Sequence, residues 1–431
     1  MAPRIVAIGI GSTVFGVELL RDVFQTPELR GAELWLVDTD AAALARMAAL
    51  ARRLNEASGW DASVCATTER LEALPGARFV VTSIELDRDR TWRLDHELAV
   101  KHGFPSVLSE NGGPGGLSHT LRSVPPMVAI ARDIERLAPD ALLLNYTNPE
   151  NRVCLAVHRY TGVRAIGLCH GVAETVHFAA GVLGCDPPDI DLHAAGVNHF
   201  TWITALRSRP DGGDLLPELQ RRLATLPPDV WPLCRLLFER LGVFPTTGDN
   251  HVGEYIPWAA EIVGTRGYDF ERFGQLRGLS RANIEAWGAG AKPVASLLAK
   301  PSRESRLGHG VTQIMAGLLA GATLPRPSFI IPNQGCVANL PEDAVVEVPG
   351  LIAEGRWRGV PVGPLPGPVA ALVQHEIEVQ ELAVRAAVEG SRALALQALL
   401  IDPVVHSARA AEAFLDEVLA VHRPYLPAFY A

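Results

Sequence analysis

The stretch Arg4-Ile5-Val6-Ala7-Ile8-Gly9-Ile10-Gly11-Ser12-Thr13-Val14-Phe15-Gly16 decides the fold. Arg4 to Ile10 is a short apolar run, and Val14 to Phe24 then repeats apolar residues at helical spacing, which predicts a strand, a tight turn and a helix. Gly9 and Gly11 stand where a tight turn and close backbone approach to a pyrophosphate require glycine, whereas Val14 holds the third such position. Glu33 to Val37 reads as the next strand and ends at Asp38, whose carboxylate can accept from both ribose hydroxyls and would repel a 2′-phosphate. Gly9, Gly11, Ser12 and Asp38 are therefore the expected contacts to a dinucleotide, NAD in preference to NADP; glycines that merely shape the turn are the plainer alternative.

Outward from this turn, a helix from Ala41 to about Asn55 and strands at Ser63 to Ala66, Phe79 to Ser83, Ala141 to Leu144 and Ala165 to Leu168 continue the alternation, with a helix from about Leu121 to Leu137. The expected class is α/β: a Rossmann-like, doubly wound parallel sheet over residues 1–190, followed by an α+β region over 191–431. In the second region His193 to Ala195 and Thr201 to Leu206 read as strands flanking Asn198-His199; the remainder reads mostly as helix and loop, with helical periodicity over Glu376 to Leu400 and Ala408 to Val421.

Composition narrows the function classes. At 431 residues the chain exceeds what one core comfortably serves, and 48% hydrophobic with 20% charged residues is ordinary for a folded enzyme. A net charge of −9 with both signs dispersed argues against a nucleic-acid partner. No apolar run approaches the ~20 residues that a bilayer needs, so a membrane is not expected. Six cysteines without CxxC spacing, and no basic segment leading into a long apolar run at the amino terminus, predict the reduced cytoplasm.

Polar clusters follow the later strands: Asn145-Tyr146-Thr147-Asn148-Pro149, Cys169-His170 and Asn198-His199. A thiolate and an imidazole suit a divalent transition metal, although a buried thiol and a satisfied core histidine are the commoner meanings of such residues. Asn148 precedes proline, which favours extended backbone and lets the amide reach a sugar hydroxyl; an Asx turn at the strand end reads the same. Pro245 to Tyr255 is dense in proton-transfer groups, and Ser109 to Gly116 reads as a glycine-rich loop or substrate-side lid.

Taken in order, these motifs resemble glycoside hydrolase family 4, the NAD-dependent exception to two-carboxylate glycoside hydrolysis. The resemblance covers nearly the whole chain: Gly9-Ile10-Gly11-Ser12, Glu33 to Asp38, Gly113 to Gly116 with Leu121-Arg122, Thr147-Asn148-Pro149, Gly167 to His170, Gly196 to His199, and Pro332-Asn333-Gln334-Gly335 with Asn339-Leu340-Pro341. It implies a fold like that of lactate and malate dehydrogenases and a redox-neutral route in which hydride leaves sugar C3, a base takes the C2 proton, the C1 substituent departs, water adds and the hydride returns. It further implies that Cys169 and His199 hold a divalent metal, usually manganese, that His170 is the acid and that Asn148 holds sugar hydroxyls. Asp249 matches the C2 base, with His251 and Tyr255 as competitors. A non-phosphorylated α-glycoside as substrate and a homodimer or homotetramer are further implications. Glu150 and Ser109-Glu110-Asn111-Gly112 depart from the family pattern and point to an altered sugar pocket. The alternatives are a 2-hydroxy-acid dehydrogenase, which would make net NADH, and a non-catalytic NAD-binding sensor.

Overall fold

The computed structural model describes residues 2–306 and 310–430. Strands β1 (Arg4–Ile8), β2 (Glu33–Val37), β3 (Ser63–Thr67), β4 (Phe79–Thr82), β5 (Leu142–Asn145) and β6 (Arg164–Gly167) pair in parallel in the order β3-β2-β1-β4-β5-β6. This is the doubly wound order, whose reversal between β1 and β4 opens a crevice at the carboxyl ends of the strands. Both faces of β1 are buried, Ile5 and Ala7 in one apolar layer and Val6 and Ile8 in the other, as helix-covered parallel strands require.

The sheet continues past β6. β7 (Ile190–Val197) and β8 (Phe200–Ser208) form a hairpin closed by Asn198 and His199, and β9 (Leu324–Pro332), β10 (Val345–Ala353) and β11 (Arg356–Gly359) fill the space between that hairpin and β6. Antiparallel pairing in the order β6-β9-β10-β7-β8, with β11 beside β10, gives one eleven-stranded sheet among the described residues. A single register line, Gly167–Ile330–Glu347–Gly196, crosses it from the strand before Cys169 to the strand before Asn198.

Three expectations need correction. β9 and β10 lie where the sequence reads as helix and loop; Pro325 and Pro327 disguise β9, and they fit because β6 meets β9 only at Ile330, leaving the proline-bearing half without a partner on that side. The helix expected from Leu121 begins at Gly113, so half of the supposed glycine-rich lid is a first helical turn. The periodic run Glu376 to Leu400 is two helices, Gly367–Glu389 and Arg392–Ile401, separated by Gly390 at φ +63°.

Buried polar groups lock the second region onto the first. Arg152, on the helix Glu150–Tyr160, donates to Thr120 Oγ1 at 3.0 Å and to Glu376 Oε1 at 3.2 Å, while Asn151 donates to Gln380 Oε1 at 2.6 Å. Burial raises the Glu376 carboxyl and, with Glu376 beside it, pushes Asp402 up to about 7, so Arg152 is the cation that both depend on. Replacing Arg152 by Met leaves these carboxyls without a counter-charge; we expect a loss of about 3–5 kcal/mol, read from urea unfolding midpoints.

Candidate active site

The dinucleotide turn has the shape its glycines demand. Gly9 sits at φ +81° and a Cβ there would overlap the Ser83 carbonyl, so no other residue fits. Val14 in the third glycine position does not open the turn, because Gly16 makes the close helix–strand approach instead; a Cβ on it would overlap Ile10 O. Asp38 Oδ2 accepts from Gly11 N–H at 2.7 Å and Oδ1 from Asp40 N–H at 2.9 Å, which holds the carboxylate against the turn. Ser12 Oγ accepts from Phe15 N–H at 3.2 Å and starts the helix Phe15–Val23. Phe15 packs on Tyr146, ring centroids 4.3 Å apart, and so joins this turn to the segment that ends in Asn148.

Cys169 and the Asn198-His199 turn are brought together. Cys169 Sγ accepts from Gly171 N–H at 3.4 Å and from the Asn198 side chain. Asn198 Nδ2 donates to Glu347 Oε2 at 3.0 Å, its N–H donates to Asn151 Oδ1 at 3.1 Å, and Ser328 Oγ donates to the other Glu347 oxygen at 2.6 Å. His199 takes φ +66°, which turns its ring out of the hairpin, and Thr247 Oγ1 donates to its carbonyl at 3.1 Å. Glu150, singular in the sequence, is buried and accepts from Leu168 N–H at 2.6 Å, bracing the residue before Cys169. Burial, then the Glu347 and Glu150 carboxylates, push the Cys169 thiol well above its usual value.

Two residues that sequence reasoning left in minor roles, Glu110 and His251, complete the cluster. His199 and His251 lie with ring centroids 4.1 Å apart and planes tilted by 50°, and Glu110 Oε2 lies 3.9 Å from His251 Nδ1. Arg88 pairs with both Glu110 and Glu85. Burial would raise the Glu85 carboxyl, but Arg88 and His119 outweigh it and bring Glu85 down to about 2; Arg88 and His251 likewise outweigh burial at Glu110. Burial holds the His199 and His251 imidazoles low, hence neutral and able to donate a lone pair. Buried polar atoms without a hydrogen-bond partner among the described residues occur at these side chains, His199 Nδ1, His251 Nδ1 and Asn198 Oδ1, and also at Asn111 Nδ2, next to Glu110, and at Asn148 Oδ1, in the segment after β5. Such atoms are costly unless a ligand meets them, and imidazole, thiol and carboxylate donors fit a divalent transition metal.

The proton-transfer residues are sorted differently from expectation. Asp249 is engaged elsewhere: its oxygens accept from Leu233 N–H at 3.1 Å and Cys234 N–H at 2.9 Å, capping the helix Pro232–Leu241. Tyr255 is buried with its hydroxyl 3.5 Å from Asn198 O and its ring stacked on Phe200 at 4.8 Å. Glu254 accepts from Glu110 N–H at 2.5 Å and Asn111 N–H at 3.1 Å, which fixes the loop that carries Glu110. His170 lies at the rim, 43% exposed, 3.9 Å from Glu174, and Arg303 reaches the same Glu174 from a strap whose Ser302 and Ser305 donate to Asp22 on the helix Phe15–Val23.

The pH response follows from these shifts. Crowding and the charges of Arg303 and His251 hold His170 down at about 4, below the unfolded value of 6.5, so its contribution is present above pH 6.5 and is lost as pH falls through 4. Glu254 acts oppositely: burial, then Glu110, push it up to about 8, so its contribution is lost as pH rises through 8. The thermal midpoint is expected to fall on both sides of neutrality, with a shallower acid limb in His170→Asn and a shallower alkaline limb in Glu254→Gln.

Comparison with known proteins gives these residues a family. Residues 4–184 match the profile described as Family 4 glycosyl hydrolase, and residues 194–405 match that of its C-terminal domain. The chain is 32% identical over 470 residues to an alpha-glucosidase of Erwinia rhapontici, covering 99% of each, and 29% identical to an alpha-galactosidase of Rhizobium meliloti, covering 99% of this chain and 89% of that protein. Its fold matches, with a TM-score of 0.85 over 99% of both chains and 20% identity, a 6-phospho-alpha-glucosidase from gut microorganisms in complex with NAD and Mn2+. With both halves matched, the 2-hydroxy-acid dehydrogenase reading gives way: the chain belongs to glycosyl hydrolase family 4.

Proposed function

We propose that the protein is an α-glycosidase that uses NAD and a divalent cation, Mn2+ by preference, as catalysts, and that it acts on a small non-phosphorylated glycoside. The supporting observation is the set of unpartnered, buried polar atoms at His199, His251 and Asn198, with Cys169 beside Asn198; the dinucleotide turn packs through Phe15 on Tyr146, two residues before Asn148. α-Linked relatives, the alpha-glucosidase and the alpha-galactosidase, favour the α configuration. Six free thiols favour a reducing compartment, and no described helix is long and apolar enough to cross a membrane. The proposed assembly is a homodimer or homotetramer; the helix Phe270–Gly288, which buries only Ile284 and exposes Leu276 and Leu279, offers a surface for it.

Bound NAD supplies the hydride acceptor for C3, and the bound cation supplies the positive charge that stabilises an enediolate and eases ionisation of a neighbouring phenol. Gly9, Gly11, Ser12 and Asp38 hold the dinucleotide. Cys169 and His199 would hold the cation. Asn148 offers Oδ1 to a sugar hydroxyl. With Asp249 committed to its helix, Tyr255 takes the C2 proton: its hydroxyl lies at the carbonyl preceding His199, and although burial, then the Glu254 and Glu376 charges, hold the phenol well above its usual value against Arg152, a cation bound at His199 would favour its ionised form. His170, at the rim, is the donor to the departing oxygen; its pKa of about 4 leaves the ring neutral near pH 7, so turnover through it rises as pH falls toward 4.

A panel of 4-nitrophenyl α- and β-glycosides, with NAD, Mn2+ and thiol reductant each present or omitted, tests the reading. Release is expected only with NAD and metal together and without net NADH; NAD binding with no release on any glycoside would favour the sensor. Tyr255→Phe is expected to lower kcat about 10²–10⁴-fold with NAD affinity unchanged. If Tyr255→Phe stays within threefold of wild type while a folded Asp249→Asn loses turnover, the base is Asp249.

A further inference from the structure

We infer that Glu110 and His251 are direct ligands of the divalent cation, making with His199 a carboxylate–imidazole–imidazole set. The inference rests on the metal-dependent reading above and adds to it two residues from segments that no metal motif covers. Glu110 lies in the loop before the helix Gly113–Leu137, His251 in the short helix Asp249–Val252, and His199 in the β7–β8 turn, so three separate segments converge.

The spacing is that of atoms around a common ion. One ligand atom from each of the three residues lies within 4.8 Å of the others. Oxygen and nitrogen ligands about 2.1 Å from an ion stand roughly 3–4.2 Å apart, depending on the angle between them. Glu110 Oε2 and His251 Nδ1, at 3.9 Å, fall in this range and are too far apart for a hydrogen bond.

The second observation is the state of the imidazoles. His199 is 5% exposed, yet its Nδ1 has no hydrogen-bond partner among the described residues, and the same holds for the buried Nδ1 of His251. Unmet, buried ring nitrogens on two neighbouring histidines, with a carboxylate beside them, are the donors that a cation would take.

Charge and scaffolding agree. Glu85 and Glu110 share the single guanidinium of Arg88, which leaves one negative charge beside the two imidazoles. Glu254 fixes the backbone N–H groups of Glu110 and Asn111, so the Glu110 carboxylate is held in place before any ion arrives. The Cys169 thiol, beside Asn198, Glu347 and Glu150, remains the ligand proposed with His199, and Glu110 and His251 add oxygen and nitrogen donors of the kind Mn2+ takes.

Mn2+ binding to purified protein, with neither NAD nor sugar, tests this through the electron paramagnetic resonance signal of free Mn2+. Glu110→Gln and His251→Asn are each expected to raise the Kd at least tenfold in protein whose near-UV circular dichroism matches wild type, and Glu110→Asp to recover part of the affinity. Pulsed measurements on the bound ion are expected to show nitrogen couplings from two imidazoles in wild type and one in His251→Asn; this separates a ligand from a residue that merely orients one. A single imidazole in wild type, or Kd values for both variants within twofold of wild type while Cys169→Ser abolishes binding, would overturn the assignment and leave the metal-dependent reading intact. Failure of wild type to bind Mn2+ would sink both.

Discussion

Glu347 is a carboxylate with no exposure to solvent, in the middle of the sheet, and the site is organised around what it accepts. Ser328 on β9 and Asn198 at the end of β7 each give it a hydrogen bond, and its own strand, β10, lies between theirs. A buried acceptor of this kind is expensive to leave unmet, so the two donors are held as firmly as the sheet itself. One of them immediately precedes His199. The position of the His199 ring is thus set through a group one residue away from it, and after burial the same carboxylate raises the neighbouring Cys169 thiol.

The parallel half was legible in the sequence because local signals and global fold agree there. β2 and the start of the helix at Ala41 fall where periodicity puts them, and β1 and the turn at Gly9 stand within two residues of their places. The antiparallel half was less so. The first half of β9 carries Pro325 and Pro327 and tolerates them because β6 ends before it reaches them, a fact about a neighbour that no window of sequence contains. Gly113 to Gly116 look like loop glycines but form a helical first turn packed on Ser109 and Asn111; here glycine serves close approach and not flexibility.

The site divides along the same line. Cys169, His199 and Asn148 stand out in the sequence because each follows a strand end and sits in a recognisable motif. Glu110 and His251 were seen but not joined to them, since 141 residues separate the two and only the fold brings both to His199. Asp249 shows the converse: the motif marks a carboxylate near the chemistry, and only the structure shows that its oxygens already receive two backbone N–H groups. Tyr255, a competitor in the sequence, gains standing from the Asn198 carbonyl beside its hydroxyl.

The unbroken sheet has a mechanical consequence. Many enzymes of two regions open like a jaw, with ligand held between bodies that swing about a few linking residues. Here β6, β9, β10 and β7 are laced side by side across the boundary, and Arg152 and Asn151 fasten the helix Gly367–Glu389 to the first region. A swing of one region against the other would tear that ladder, so the protein cannot breathe as two halves. Whatever motion the cluster around His199 undergoes is left to pieces smaller than a region, such as the one-turn helix Asp249–Val252 that carries His251.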